Sequence, residues 1–234
     1  ILEEAWNMIG ESLRDALTVA HDRILNFHVG EVRNEHTQDS GGVSISSVAQ
    51  PVDRVGVYVP GGLAAYPSTV LMTVLPALAA GVRDVVLCTP PDRDGEASRV
   101  VLAAAYLCGV KEIFLAGGVQ AIAAMTFGTE SLKAVDVIAG PGNAWVAMAK
   151  QEVAGQVGIA SAFAGPSEIA VIADNTCPPS SAAVDLVLQA EHGPGGRAWL
   201  ITWDAAYADE VESATKKIVS LSPRSTETLA TIET

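Results

Sequence analysis

The sequence predicts an α/β protein with mostly parallel strands, and three observations carry that prediction. From residue 55 onward, short β-branched runs alternate with Ala- and Leu-rich stretches of helical length. Hairpin signals between the runs are few, so helical crossovers must join the strands, which sets neighbours parallel. Glycines cluster just after several runs, where the chain has to turn from strand into helix.

Along the chain, residues 1–27 read as one amphipathic helix. Leu2, Trp6, Ile9, Leu13, Leu17, Ala20, Ile24 and Leu25 recur there at three- and four-residue intervals. Residues 29–49 are polar and glycine-containing, a connecting loop or short ribbon. Strands are expected at 55–59, 85–88, 112–115, 135–139, 169–173 and 199–202. Helices are expected at 68–80, 96–108, 119–127, 144–153, 180–191 and 205–219. No internal repeat rises above this rhythm. The chain opens on Ile1 directly into helical periodicity, as expected of a piece of something longer.

The charge balance narrows the partners. With 27 acidic against 14 basic side chains the formal charge is −13, which disfavours nucleic acid and anionic membrane surfaces alike. The most apolar run, 70–82, contains Pro76 and is too short to span a bilayer. Cys88, Cys108 and Cys177 are widely spaced and odd in number, as for free thiols in a reducing, cytoplasmic setting.

The glycine junctions are the first candidate site. Pro60-Gly61-Gly62 follows the strand at 55–59, Gly117-Gly118 the strand at 112–115, and Gly140-Pro141-Gly142-Asn143 the strand at 135–139. Such turns let backbone approach a phosphate and present helix N-terminal amides to it. Trp145 stands where the G-x-G-x-x-G fingerprint needs its third glycine, so that signature fails. Spacing alone leaves tight-turn chemistry and an anionic ligand both open. The second candidate is Asp185, Gln189 and His192, which fall on one helical face. That stripe is either a polar face ending in a helix-terminal histidine or half of a metal site. Ser167 is a turn hydroxyl or a substrate contact. His21 and His28 read as packed or surface histidines, and His36 as a solvated loop residue. No G-x-S-x-G elbow is present, so a serine hydrolase has no support.

Six segments carry a family resemblance. Tyr58-Val-Pro-Gly-Gly62, Tyr66-Pro-Ser-Thr-Val-Leu-Met72, Ala116-Gly-Gly-Val-Gln120-Ala-Ile-Ala-Ala124, Gly140-Pro-Gly-Asn143, Ala164-Gly-Pro-Ser-Glu168 and Gln189-Ala-Glu-His-Gly193 together resemble histidinol dehydrogenases, in that order. The resemblance implies oxidation of L-histidinol to L-histidine through an aldehyde, with NAD and zinc as cofactors. On it, Tyr58, Gln120 and Asn143 are the expected NAD contacts. Ser167, Gln189 and His192 are expected to touch substrate, and Gln189 and His192 to ligate zinc. The family's general acid–base Glu-His pair and two further zinc ligands, an Asp and a His, are expected beyond residue 234. Glu191-His192 match the metal motif instead, so no acid–base residue is assigned and the chain alone is expected to be inactive.

The implied fold is α/β, with two incomplete Rossmann-like domains whose mostly parallel sheets are flanked by helices. Residues 1–57 plus 169–234 would form a discontinuous domain carrying the half metal site, and 58–168 an inserted NAD-binding domain. Two rivals stay open: a paralogue oxidising another small alcohol, and a non-catalytic nucleotide-binding fragment. The partners expected are a small amino alcohol and a second copy of the chain, since the family resembles intertwined homodimers. Apolar surface otherwise covered by the absent parts would then be exposed. A patch of about 400 Å² represents some 10 kcal/mol of unrealised burial. A symmetric dimer through Leu13, Leu17 and Ile24 of the first helix is therefore expected. Sedimentation velocity at micromolar concentration should show dimer, and a monomer at every concentration would contradict it.

Overall fold

Val55, Val57 and Val59 alternate with Gly56 and Tyr58, and this two-residue period organises the larger of two units into which contacts divide the chain, residues 1–164 and 165–234. The computed structural model describes residues 1–32, 35–61, 65–161, 168–191, 196–222 and 225–232. In the first unit β3 (Arg54–Tyr58), β4 (Asp84–Thr89), β5 (Glu112–Leu115), β6 (Val137–Ala139) and β7 (Gly158–Ile159) form one sheet. Its order is β5-β4-β3-β6-β7, and every pair in it is parallel. The chain winds outward from β3 through β5, then returns to lay β6 on the other side of β3. The winding reverses between those two strands.

Helices cover both faces, as a parallel sheet requires. Val55, Val57, Val59, Val85 and Leu87 point into a core shared with α3 (Pro67–Ala79) and α4 (Arg99–Leu107). The alternate positions Tyr58, Val86, Cys88 and Ile138 point into a second core with α5 (Gly118–Phe127) and α6 (Ala144–Val153). Gly56 belongs to this second face. A methyl group there would meet Met125 Sδ at 2.6 Å and Val135 Cγ2 at 3.1 Å, so glycine is what lets α5 settle on β3. Each fully buried Val, Leu or Ile contributes roughly 1.5–3 kcal/mol, and the two cores hold the unit together from either side.

The amino edge of the sheet has its own tie. The Arg54 side chain, almost fully buried, pairs with Asp84 at the start of β4 and with Glu112 at the start of β5, 2.7 Å away. Its backbone N–H donates to Asp136 Oδ2 at 2.8 Å, and the Asp136 N–H returns a bond to the Arg54 carbonyl at 2.9 Å. Four strands are thereby registered from one residue. This explains why β6 begins at Val137 rather than 135: the preceding aspartate is spent on capping β3.

Elsewhere the structure departs from expectation for local reasons. The single helix over 1–27 is two, α1 (Leu2–Met8) and α2 (Glu11–Val29), because Ile9 and Gly10 are extended at ψ 151° and 152°. Glycine is a poor helix former, and the break lets α1 pack on α4 while α2 packs on α3. Leu17 is buried, and Ile24 lies against the same core. The dimer surface expected on Leu13, Leu17 and Ile24 is thus internal at two of its three positions. The stretch 29–49 contains an antiparallel ribbon, β1 (His36–Ser40) and β2 (Val43–Ser47). It turns on Gly41 and Gly42, both at positive φ (58° and 80°), as a two-residue hairpin turn demands. His36 lies on that ribbon rather than in a loop. Helix α4 starts at Arg99, not 96, because Asp92 Oδ1 accepts the N–H groups of Asp94 and Glu96 and holds them in a turn.

In the second unit β8 (Glu168–Ile172) pairs in parallel with β9 (Arg197–Ile201). Ala182 and Ala183 of α7 (Pro179–Ala190) pack with Tyr207 and Val211 of α8 (Ala205–Leu221) and with the inward residues Val171 and Leu200. A further helix, α9 (Ser225–Ile232), was not expected from the sequence. The opposite face of the two strands leaves Ile172, Trp199 and Ile201 exposed. The expected division of the chain grouped 1–57 with 169–234. Within 1–164, α1 packs on α4, α2 on α3, and β3 lies between β4 and β6. No helix in the described residues is long and apolar enough to cross a membrane.

The three cysteines are free thiols, two buried and Cys177 half-buried. Burial pushes Cys88 up to about 11, against the opposing pull of the Arg54 charge, and Cys108 up to about 12. An unfolded chain loses these protons near pH 8.5, so the two thiols' contribution to stability declines as pH rises from there toward 11. At pH 8 a chromogenic disulfide reagent should titrate Cys177 quickly. Cys88 and Cys108 should react only at the rate of unfolding, and three fast equivalents would contradict the burial.

Candidate functional site

Crowding at the carboxyl edge of the five-stranded sheet brings its loops together. Gly140, after β6, has φ 108°, and a Cβ there would run into the carbonyl oxygen of Tyr58, the last residue of β3. Pro90, after β4, fits between two glycines. A methyl on Gly61 would lie 2.6 Å from Pro90 Cγ, and one on Gly117 2.6 Å from Pro90 Cβ. The turns after β3, β4 and β5 therefore meet at Pro90, and the turn after β6 meets the end of β3, where the winding reverses. In parallel sheets that is where ligands bind.

The three expected dinucleotide contacts gather here. Tyr58 is buried in the core beneath α5 and α6, and its hydroxyl accepts the Gly118 N–H at 3.1 Å. That bond ties the end of β3 to the start of α5. Gln120 is exposed in the first turn of that helix, its Oε1 close enough that a Cβ on Gly118 would sit 3.2 Å away. Asn143 caps α6: its Oδ1 accepts the Val146 N–H at 3.1 Å. This cap was not anticipated, although asparagine directly before a helical run is its sequence signature. Trp145 follows it, 68% exposed at the rim.

A lysine that sequence reasoning passed over lies beneath these loops. Lys150 of α6 is 2% exposed. Its Nζ donates to the carbonyl of Gly140 and, at 3.2 Å, to that of Ser161 beyond β7. Burial holds its ammonium below the ordinary lysine range. The signal was present: Val146, Ala147, Lys150 and Val153 are the buried positions of α6, so the lysine occupies the apolar face of a helical repeat.

The second candidate is seen only in part. Gln189 is half-buried near the end of α7, and Asp185 is exposed one turn earlier. Ser167 and His192 lie outside the described residues. Among the described residues no three of His, Cys, Asp or Glu gather as a metal would need. The amide oxygen of Gln189 is thus the one expected zinc donor whose position is described. His21 and His28, read as packed or surface residues, bond locally to Asp22 and Glu31. The second unit also holds a groove of about 710 Å³ between α7, β9, α8 and α9. Leu186, Leu200, Val211 and Ile232 help line it, Gln189 does not, and it presents no acid–base cluster.

Comparison with known proteins gives a consistent result. The family profile described as histidinol dehydrogenase matches residues 1–234. A histidinol dehydrogenase of Parasynechococcus marenigrum is 52% identical over 225 residues, 95% of this chain and 51% of that protein. One from Prochlorococcus marinus is 47% identical over 213 residues, 91% of this chain and 48% of that protein. The crystal structure of histidinol dehydrogenase from Elizabethkingia anophelis superposes with a TM-score of 0.92 at 38% identity, covering 98% of this chain and 53% of that one. The chain spans about half the length of the curated relatives it matches.

The crowding can be tested directly. Gly140→Ala combines a clash with Tyr58 and an unfavourable φ, and should cost roughly 2–5 kcal/mol in urea unfolding. Gly155→Ala, with nothing within 4 Å of the new methyl, should stay within about 0.5 kcal/mol of the parent. Equal midpoints for the two variants would mean that the loops do not meet as described.

Proposed function

The chain belongs to the histidinol dehydrogenase family, and from that premise we propose that it forms the dinucleotide-binding part of an NAD-dependent dehydrogenase converting L-histidinol to L-histidine. One observation carries this reading: glycine turns pack closely along the carboxyl edge, Gly61 and Gly117 on Pro90 and Gly140 on the end of β3, where the winding of the sheet reverses. Glycines packed this closely against Pro90 and Tyr58 hold the turns at the sheet edge with little side-chain bulk, and helix N-termini presented at such an edge suit a dinucleotide pyrophosphate.

Converting a primary alcohol into a carboxylate removes two hydride equivalents and adds one oxygen from water, so two NAD⁺ are consumed per product. Bound NAD⁺ supplies the hydride acceptor. The chain's part is to bind and orient it. The Tyr58 hydroxyl fixes the start of α5, the Asn143 cap fixes the start of α6, and Gln120 offers an exposed amide between them. In this reading Ser167, Gln189 and His192 contact the amino alcohol. Gln189 and His192 would also hold a zinc ion, which supplies a Lewis-acidic anchor for the substrate's nitrogen groups.

For the whole enzyme the reading retains two Rossmann-like domains in nested order, 58–168 between 1–57 and 169–234. It also retains a cytoplasmic homodimer. Those are proposals about the longer protein.

The test is a titration of the 234-residue chain with NAD⁺, read through tryptophan fluorescence, with Trp145→Phe as the control for the reporting residue. Gln120→Ala, which touches no cap, should weaken binding about tenfold at an unchanged unfolding midpoint. Asn143→Ala should weaken binding too, and should also lose about 1 kcal/mol of stability as a removed helix cap. Affinity equal to that of the parent in both variants would remove these residues from the site.

A further inference from the structure

We propose that Lys150 is the fixed positive charge of the dinucleotide loop: its buried ammonium holds the Gly140–Asn143 turn and serves as counter-charge to the pyrophosphate that the turn receives. The inference rests on the dinucleotide reading above and deepens it.

Three observations support it. The first is position. The two carbonyls that accept from Lys150 belong to Gly140 and Ser161, which follow β6 and β7, so the ammonium lies directly under the carboxyl edge. The second is compensation. Arg54, the other cation buried among the described residues, is matched by two carboxylates at the opposite edge. Lys150 has no carboxylate partner among the described residues and is satisfied by neutral carbonyls. The third is cost. An ammonium taken out of water without a counter-ion is unfavourable, and methionine would fill the same space without that penalty. A position that keeps the charge despite this gains something electrostatic from it. NAD⁺ carries two negative charges on its pyrophosphate, and an interior cation attracts them more strongly than a solvated one.

A lysine that merely braced two loops would support every ligand of the site equally. A counter-charge discriminates by ligand charge, and the experiment uses that difference. The 234-residue chain, Lys150→Met and Lys150→Arg are titrated calorimetrically with NAD⁺, ADP-ribose and adenosine, which share the adenosine moiety but not the pyrophosphate. Lys150→Met should bind NAD⁺ and ADP-ribose about tenfold or more weakly, with adenosine unchanged to within about twofold. Lys150→Arg keeps the charge and should keep the preference for ADP-ribose over adenosine. An equal loss for all three ligands in a folded Lys150→Met protein would reduce the residue to a brace and overturn the proposal. Should that variant not fold, a folded Lys150→Arg that loses the preference would overturn it as well. Parent-like affinities in Lys150→Met overturn this inference alone. A parent chain that binds none of the three ligands overturns the dinucleotide reading itself.

Discussion

At the carboxyl edge of the five-stranded sheet, the backbone of Gly140 lies so close to the carbonyl of Tyr58 that no methyl group fits between them. Much of the molecule is arranged around that contact. It brings the loop after β6 onto the end of β3, and so places the start of α6 beside the start of α5. The Tyr58 hydroxyl, reaching Gly118 from below, fixes the second helix start relative to the first. The result is a rim of tight turns on which Gln120, Asn143 and Trp145 stand exposed. Such a rim suits a ligand recognised by shape and charge.

The two edges of the sheet divide the work between them. At the amino edge a buried arginine is compensated by Asp84 and Glu112, each about half exposed, and the strands are registered there. The half-exposed carboxylates keep part of their hydration, so the desolvation cost of the pairing falls mainly on the buried guanidinium. At the carboxyl edge glycines bring the turns together, and the buried Lys150 lacks a carboxylate partner among the described residues.

Much of the first unit was legible in the sequence. The alternation at 55–59 and the apolar stripes of α3, α5 and α6 each obey a single period, which local composition records. What escaped notice depends on tertiary context or on few residues. Strand β7 is two residues long, too short to show a period. The break at Gly10 is one glycine within an otherwise continuous stripe. Lys150 drew no notice in the sequence, although it stands on the buried face of α6, and only packing shows the position to be decisive. The glycine turns were read as tight turns or a ligand cradle. The structure shows the tight turns, with Gly61 and Gly117 packed on Pro90 and Gly140 on Tyr58. Of the second candidate, Gln189 and Asp185 were placed on one helix as expected, and Ser167 and His192 fall outside the described residues.

The Pro90 contact has a consequence for how this sequence can change over evolutionary time. Its ring occupies the space that a side chain at either Gly61 or Gly117 would need, so the three positions are not free to drift independently. Residues sharing a contact show non-additive substitution energies. An alanine at Gly61 is obstructed by the ring Cγ and becomes tolerable once a residue without that atom stands at 90, whereas an alanine at Gly117 meets Pro90 Cβ and needs glycine there. Lineages that lose these glycines should therefore have lost the proline first. The order of such replacements is a historical trace of a steric fact.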